Sequence, residues 1–193
     1  MPDVLTSEEQ ERADLYALLA ALLLRPDAAL VAALAALPRS GAQDDELARA
    51  WDALLDAANR LGPAALDEHA CLFVAAGTPR FNPYQCYYLD GWLMDKPLAH
   101  LRDELRALGL QRAPGATELE DHLGALCETM RMLVESGRPP EVQQDFFARH
   151  IAPWSTACLQ DIHDAPDADF YRALAAFALA FFERESAHEQ ALA

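Results

Sequence analysis

Apolar residues recur at three- and four-residue intervals along most of this chain, and that period predicts helices nearly from end to end. Thr6 and Glu9 are spaced as a capping box, after which Leu15, Leu18, Leu19, Leu22 and Leu23 form a stripe that stops at Arg25-Pro26. A second helix is expected over about residues 27–37 and a third over about 44–60, with Trp51, Leu54, Leu55 and Ala58 on one face. Gly62-Pro63 opens a fourth, which carries Leu66, Ala70, Phe73 and Val74 and ends before Gly77-Thr78-Pro79. After a long irregular connection, 77–92, the pattern resumes over about 97–108. Thr117 and Glu120 again have capping-box spacing, ahead of the stripe Leu119, Leu123, Leu126, Met130 and Leu133. Shorter helices are expected over about 141–150 and 153–164, and a last one over about 167–186 that buries Phe170, Leu174, Phe177 and Phe181. No segment alternates as a strand does. The expected fold is all-α: one helical-bundle domain of about nine helices, or two subdomains, 1–108 and 117–193, joined by a Gly/Pro-containing hinge at 109–116.

Composition narrows the function classes. Of 193 residues 52% are hydrophobic, enough for a real core. The formal charge of −16 argues against nucleic acid and anionic membrane as partners and favours a basic segment, although acidity also serves solubility. Cys71, Cys86, Cys127 and Cys158 are widely spaced, with no C-x-x-C pair, which fits reduced and mostly buried thiols in a cytoplasmic protein. The start, Met1-Pro2-Asp3, is unlike a signal peptide, and charges or prolines interrupt every leucine-rich stretch before membrane-spanning length.

Little here supports catalysis, and the chain is expected not to be an enzyme. It has no Gly-rich phosphate loop, no G-x-S-x-G elbow and no H-E-x-x-H, and no cofactor is expected. Glu68-His69-Ala70-Cys71 is the nearest approach to a metal motif, but on a helix His69 and Cys71 diverge by about 200°, so no metal is expected.

Two segments stand apart. Phe81-Asn82-Pro83-Tyr84-Gln85-Cys86-Tyr87-Tyr88-Leu89-Asp90-Gly91 gathers four aromatic rings, a proline and an Asp-Gly into one connection. Such a stretch either anchors a long loop or offers flat contacts to an apolar segment, with Asp90 accepting a cation. Thirty residues on comes Asp121-His122. On a helical wheel begun at Leu119, with Leu123, Leu126, Met130 and Leu133 within about 40° of Leu119, Asp121 and Glu128 point away from the core and His122 lies at its rim. An acid near a helix N-terminus also favours the macrodipole with no functional role.

At these residues the sequence resembles the TorD/DmsD/NarJ family of redox-enzyme maturation chaperones. Pro83-Tyr84, Tyr88-Leu89-Asp90-Gly91 and Asp121-His122 match the family pattern position by position, and Glu68 with Leu72-Phe73 resembles its Glu-x-x-x-Leu-Phe helix end. The likeness runs from about residue 8 to 186 and takes in Phe170-Tyr171-Arg172-Ala173-Leu174. The chain departs from the pattern at Gln85 and Leu126, where Glu is usual, at Cys86, where Ser is usual, and at Leu119, near a usual Pro.

The resemblance implies a cytoplasmic, all-helical chaperone that binds the twin-arginine signal peptide or N-terminal segment of an apo-molybdoenzyme, aiding cofactor insertion and delaying export. It implies a client of the formate dehydrogenase type, and a monomer or a domain-swapped dimer. The peptide-binding residues it implies are Leu72, Phe81, Pro83, Tyr84, Tyr87, Tyr88, Asp90, Asp121, His122 and Glu128. The acids would meet the arginines, and Leu72, Phe81, Tyr84 and Tyr87 the apolar run. Two other classes stay open: a helical adaptor subunit of a redox complex, and a nucleotide-binding protein, for which no phosphate loop speaks.

Overall fold

The computed structural model describes residues 5–42, 44–74, 79–113 and 115–192, with the side chains of the last helix described through residue 187. Among these residues ten α-helices and one π-helical turn form, and the only strand-like pairing is an isolated bridge. The helices are α1 (Ser7–Leu24), α2 (Ala28–Ala35), α3 (Glu46–Leu61), α4 (Ala64–His69), α5 (Gln85–Asp90), α6 (Lys96–Ala107), α7 (Leu123–Glu135), α8 (Pro140–His150), α9 (Ala152–His163) and α10 (Phe170–Leu192). The π turn, Ala70–Val74, continues α4. No described helix is long and apolar enough to cross a membrane.

The chain divides into two compact units, and each is discontinuous in sequence. One comprises Met1–Leu24 and Pro83–Ser155, the other Arg25–Asn82 and Thr156–Ala193. Both flanks of the 109–116 segment therefore lie in the same unit. The expected division there, into 1–108 and 117–193, is not the one observed.

The first unit is built on α1 and α7. The Thr6–Glu9 capping box starts α1: the Glu9 carboxylate accepts the Thr6 N–H at 2.8 Å, and Thr6 Oγ1 accepts the Glu9 N–H at 3.2 Å. Ala13, Tyr16, Leu19, Ala20, Leu22 and Leu23 are buried on α1, while Leu15 and Leu18 are half-buried. Small residues therefore complete a face that leucine spacing only partly marks. Leu123, Leu126, Cys127, Met130 and Leu133 are buried on α7. Gly124 permits close approach, for a Cβ there would stand 2.7 Å from Leu24 Cγ and 3.2 Å from Leu23 Cβ. Against expectation, Thr117 caps nothing, and the helix starts six residues later, with His122 as N-cap accepting the Gly124 N–H at its Nδ1, 3.0 Å away.

In the second unit α10 packs on α3 and α4, and α2 on α3. Phe170, Leu174, Phe177 and Phe181 are buried as their spacing predicts, and Trp51 packs on Phe177 with ring centroids 5.5 Å apart. The α4 stripe does not hold. Ala70 and Val74 are exposed while Leu72 is buried, because the π turn widens the helical repeat and rotates the apolar face. The expected stop at Gly77-Thr78 and the opening Met1-Pro2-Asp3 lie outside the described residues.

Candidate functional site

The aromatic segment and Asp121-His122 meet within the first unit. Tyr84 and His122 form an antiparallel bridge: the Gln85 N–H donates to the Asp121 carbonyl at 2.9 Å, and the Leu123 N–H to the Pro83 carbonyl at 2.8 Å. This pairing explains the late start of α7, because extended backbone at 121–122 cannot also be helical. Asp121 Oδ2 accepts the Cys86 N–H at 3.1 Å, one of the donors that α5 leaves open at its N-terminus. The His122 ring meets Tyr84 edge to face at 5.0 Å, and the Tyr84 hydroxyl donates to Glu118. Burial, then the Glu118 and Asp121 carboxylates, push the Tyr84 phenol well above its ordinary pKa.

The wheel reading of Asp121 is overturned. Asp121 is 0% exposed and His122 4% exposed. The wheel assumed a helix through 119–123, whereas these residues precede it. Asp121 Oδ1 has no hydrogen-bond partner among the described residues. Cys86 is also buried, and its Sγ donates to the Asp95 carbonyl at 3.7 Å. Burial first, and then the Asp121 carboxylate, push this thiol's pKa up.

Beyond the bridge, the expected irregular connection contains α5. Its Gln85 is buried: Nε2 donates to the Arg149 carbonyl at 3.2 Å, and Oε1 lies 3.4 Å from His150 Nδ1. His150 Nε2 lies 2.9 Å from Glu104, which also pairs with Arg149 at 3.0 Å. Burial lowers the His150 pKa more than Glu104 raises it, and the nearby Arg149 and His100 lower it further. Tyr88 stacks on Trp154 at 5.6 Å, and the Trp154 indole N–H is held by the His150 carbonyl at 2.7 Å. Tyr88 is thus an anchor of α5.

Gly91 ends α5 with a left-handed φ of 79°, its N–H on the Tyr87 carbonyl at 3.0 Å. The chain leaves the helix with its apolar side chains outward. Trp92 is 75% exposed and Met94 71% exposed, with Tyr87, Leu89 and Leu93 exposed beside them in sequence. Met94 itself has a φ of 59°, a backbone that costs a side-chain-bearing residue about 1–2 kcal/mol. Asp90 is exposed within this run, and Asp95 follows it as the N-cap of α6.

The remaining expected site residues fall in both units. Pro83 is buried under the bridge. Glu128 pairs with Arg131 at 2.6 Å along α7. Leu72 and Phe81 belong to the second unit, where Leu72 is buried and its carbonyl accepts the Phe81 N–H at 3.0 Å. Phe81 packs near Phe73 and under the Arg80 guanidinium. Glu68 has a structural task in that unit: its carboxylate accepts the N–H groups of Asp169, Phe170 and Tyr171 at 2.8–3.0 Å and so caps α10.

Among the described residues no three His, Cys, Asp or Glu side chains converge as metal ligands. The arrangement offers an exposed apolar run with an acid in it, carried on a well-anchored short helix. Trp92, Leu93 and Met94 were not singled out by their sequence, yet three large apolar residues in a row between Asp-Gly and a helix cap have no helical face to hide on.

The pattern of the family described as nitrate reductase delta subunit matches residues 40–160. A chaperone protein TorD of Vibrio cholerae serotype O1 is 29% identical over 164 residues, which cover 76% of this chain and 74% of the relative. A Tat proofreading chaperone DmsD of Salmonella typhi is 32% identical over 151 residues, covering 77% of this chain and 64% of the relative. These relatives are chaperones, not enzymes. With its motifs, its all-helical architecture and this match over most of its length, the chain belongs to the nitrate reductase delta subunit family, among the TorD/DmsD-type chaperones.

Proposed function

We propose that this chaperone acts in the cytoplasm by holding the N-terminal, twin-arginine segment of an apo-molybdoenzyme through the exposed run at 87–94. One observation carries the reading: Tyr87, Leu89, Trp92, Leu93 and Met94 are exposed together along a few residues that also include Asp90. Exposed apolar surface of this density marks an interaction site. A signal segment is basic at its start and apolar afterwards. The apolar run would lie on Trp92 and its neighbours, and an arginine would pair with Asp90. The protein's charge of −16 would draw the basic end in and make association salt-sensitive.

Asp121, His122, Pro83 and Tyr88 serve this reading as supports of the segment. A client of the formate dehydrogenase type is the one we favour, on the subgroup that the sequence resembles. Retention of the apo-client until its cofactor is inserted, and delay of its export, follow if the segment is covered. The test is a titration of the protein with a twin-arginine peptide and with the full apo-client at low salt. Binding of either that weakens as salt rises supports the reading, and no binding of both defeats it.

A further inference from the structure

In sequence, Asp121-His122 looks like an acid and an imidazole displayed for a ligand. In the fold neither is displayed. Asp121 is 0% exposed, one carboxylate oxygen is engaged by the Cys86 N–H at 3.1 Å, and its carbonyl is engaged by the Gln85 N–H at 2.9 Å. His122 is 4% exposed, with Nδ1 on the Gly124 N–H at 3.0 Å and its ring against Tyr84. All of these bonds run either to the first turn of α5 or to the first turn of α7. With Asp121 fully buried, its carboxylate is closed in this fold to a guanidinium from another molecule. The client-facing run begins one residue after Cys86, at Tyr87, so whatever fixes Cys86 fixes the direction in which the run emerges.

We infer that Asp121 and His122 are positioning residues: they clasp the start of α5 to the start of α7 and set the exposed run 87–94, without touching the client. The inference rests on the proposed role of that run. The clasp works through hydrogen-bond acceptors, not through charge. Asparagine at either position retains an acceptor, since its carbonyl oxygen takes the Cys86 N–H at 121 or caps the Gly124 N–H at 122. A direct contact with an arginine would need the charge of Asp121.

The experiment uses the full chain and, as probe, a synthetic peptide with two adjacent arginines followed by an apolar run of about ten residues. Its affinity is measured across a salt series for the native protein, Asp121→Asn, Asp121→Ala, His122→Asn and His122→Ala. Amide hydrogen exchange at Gln85 and Cys86 is measured without peptide. The clasp predicts that both asparagine variants bind close to native, that both alanine variants bind about tenfold more weakly, and that Cys86 exchange quickens in Asp121→Ala but not in Asp121→Asn. It also predicts the same salt dependence in all variants that bind. The clasp is overturned if Asp121→Asn is as weak as Asp121→Ala, if it flattens the salt dependence, or if Cys86 exchange is unchanged in Asp121→Ala. A native protein that ignores the peptide counts against the proposed function instead, and exchange at Cys86 still decides the clasp.

Discussion

Gln85 and His150 show how one residue sets the chemistry of its neighbour. Gln85 gives His150 a neutral partner, leaving Glu104 as the acid against its ring. Burial is the largest influence and holds the His150 pKa below its ordinary value. Because the folded pKa is lowered, the unfolded chain binds this proton more readily. The contribution of His150 to stability is therefore complete above the ordinary histidine pKa of about 6.5 and is lost as pH falls below it. Denaturant unfolding of the native protein and of His150→Gln, compared between pH 8 and pH 5, should show the native protein losing ground on the acid side. A flat difference contradicts this. In Gln85→Glu a second carboxylate faces the ring, so the imidazole shifts observed by NMR should titrate at higher pH than in the native protein.

Elements carry a second set of consequences. At the α1–α7 contact, Gly124→Ala forces a methyl group to within 2.7 Å of Leu24 Cγ, and overpacking of this kind costs about 1–3 kcal/mol in an unfolding titration. At the start of α10, Glu68→Ala removes the acceptor of three N–H groups and should cost about 1–2 kcal/mol, with Glu68→Gln recovering part of it. Most elements were legible in the sequence because their apolar faces repeat at the helical period: Phe170, Leu174, Phe177 and Phe181 needed nothing more. The misreadings arise where backbone hydrogen bonding departs from the helical pattern that the side chains suggest. Thr117 and Glu120 have capping-box spacing, but pairing of 121–123 with 83–85 delays the helix to Leu123. The helical periodicity of 66–74 fails because a π turn intervenes, and no side-chain pattern announces one. The aromatic segment stands out in the sequence as a region, and Tyr87 and Asp90 are exposed in it, but burial removes Asp121 from the solvent face that a helical wheel gives it.

At the scale of the whole molecule the sequence order hides the organisation, since each compact unit takes pieces from two parts of the chain. Gly109 and Gly115 mark turns inside one unit, not a border, because turn chemistry is the same in both settings. The acidic surface acts at this scale too. With a charge of −16, binding of a basic segment should weaken steeply as salt rises. Asp90→Asn should remove part of that dependence while leaving the apolar contribution. The account stands on one claim, that the exposed run at 87–94 holds the client segment. The most direct measurement is calorimetric titration of a twin-arginine peptide into the native protein and into Trp92→Ser/Met94→Ser, two exposed positions whose change leaves the core intact. The account predicts that the native protein binds and that the double variant, with unchanged circular dichroism and melting, binds at least about tenfold more weakly. Equal affinity in the two proteins would contradict it.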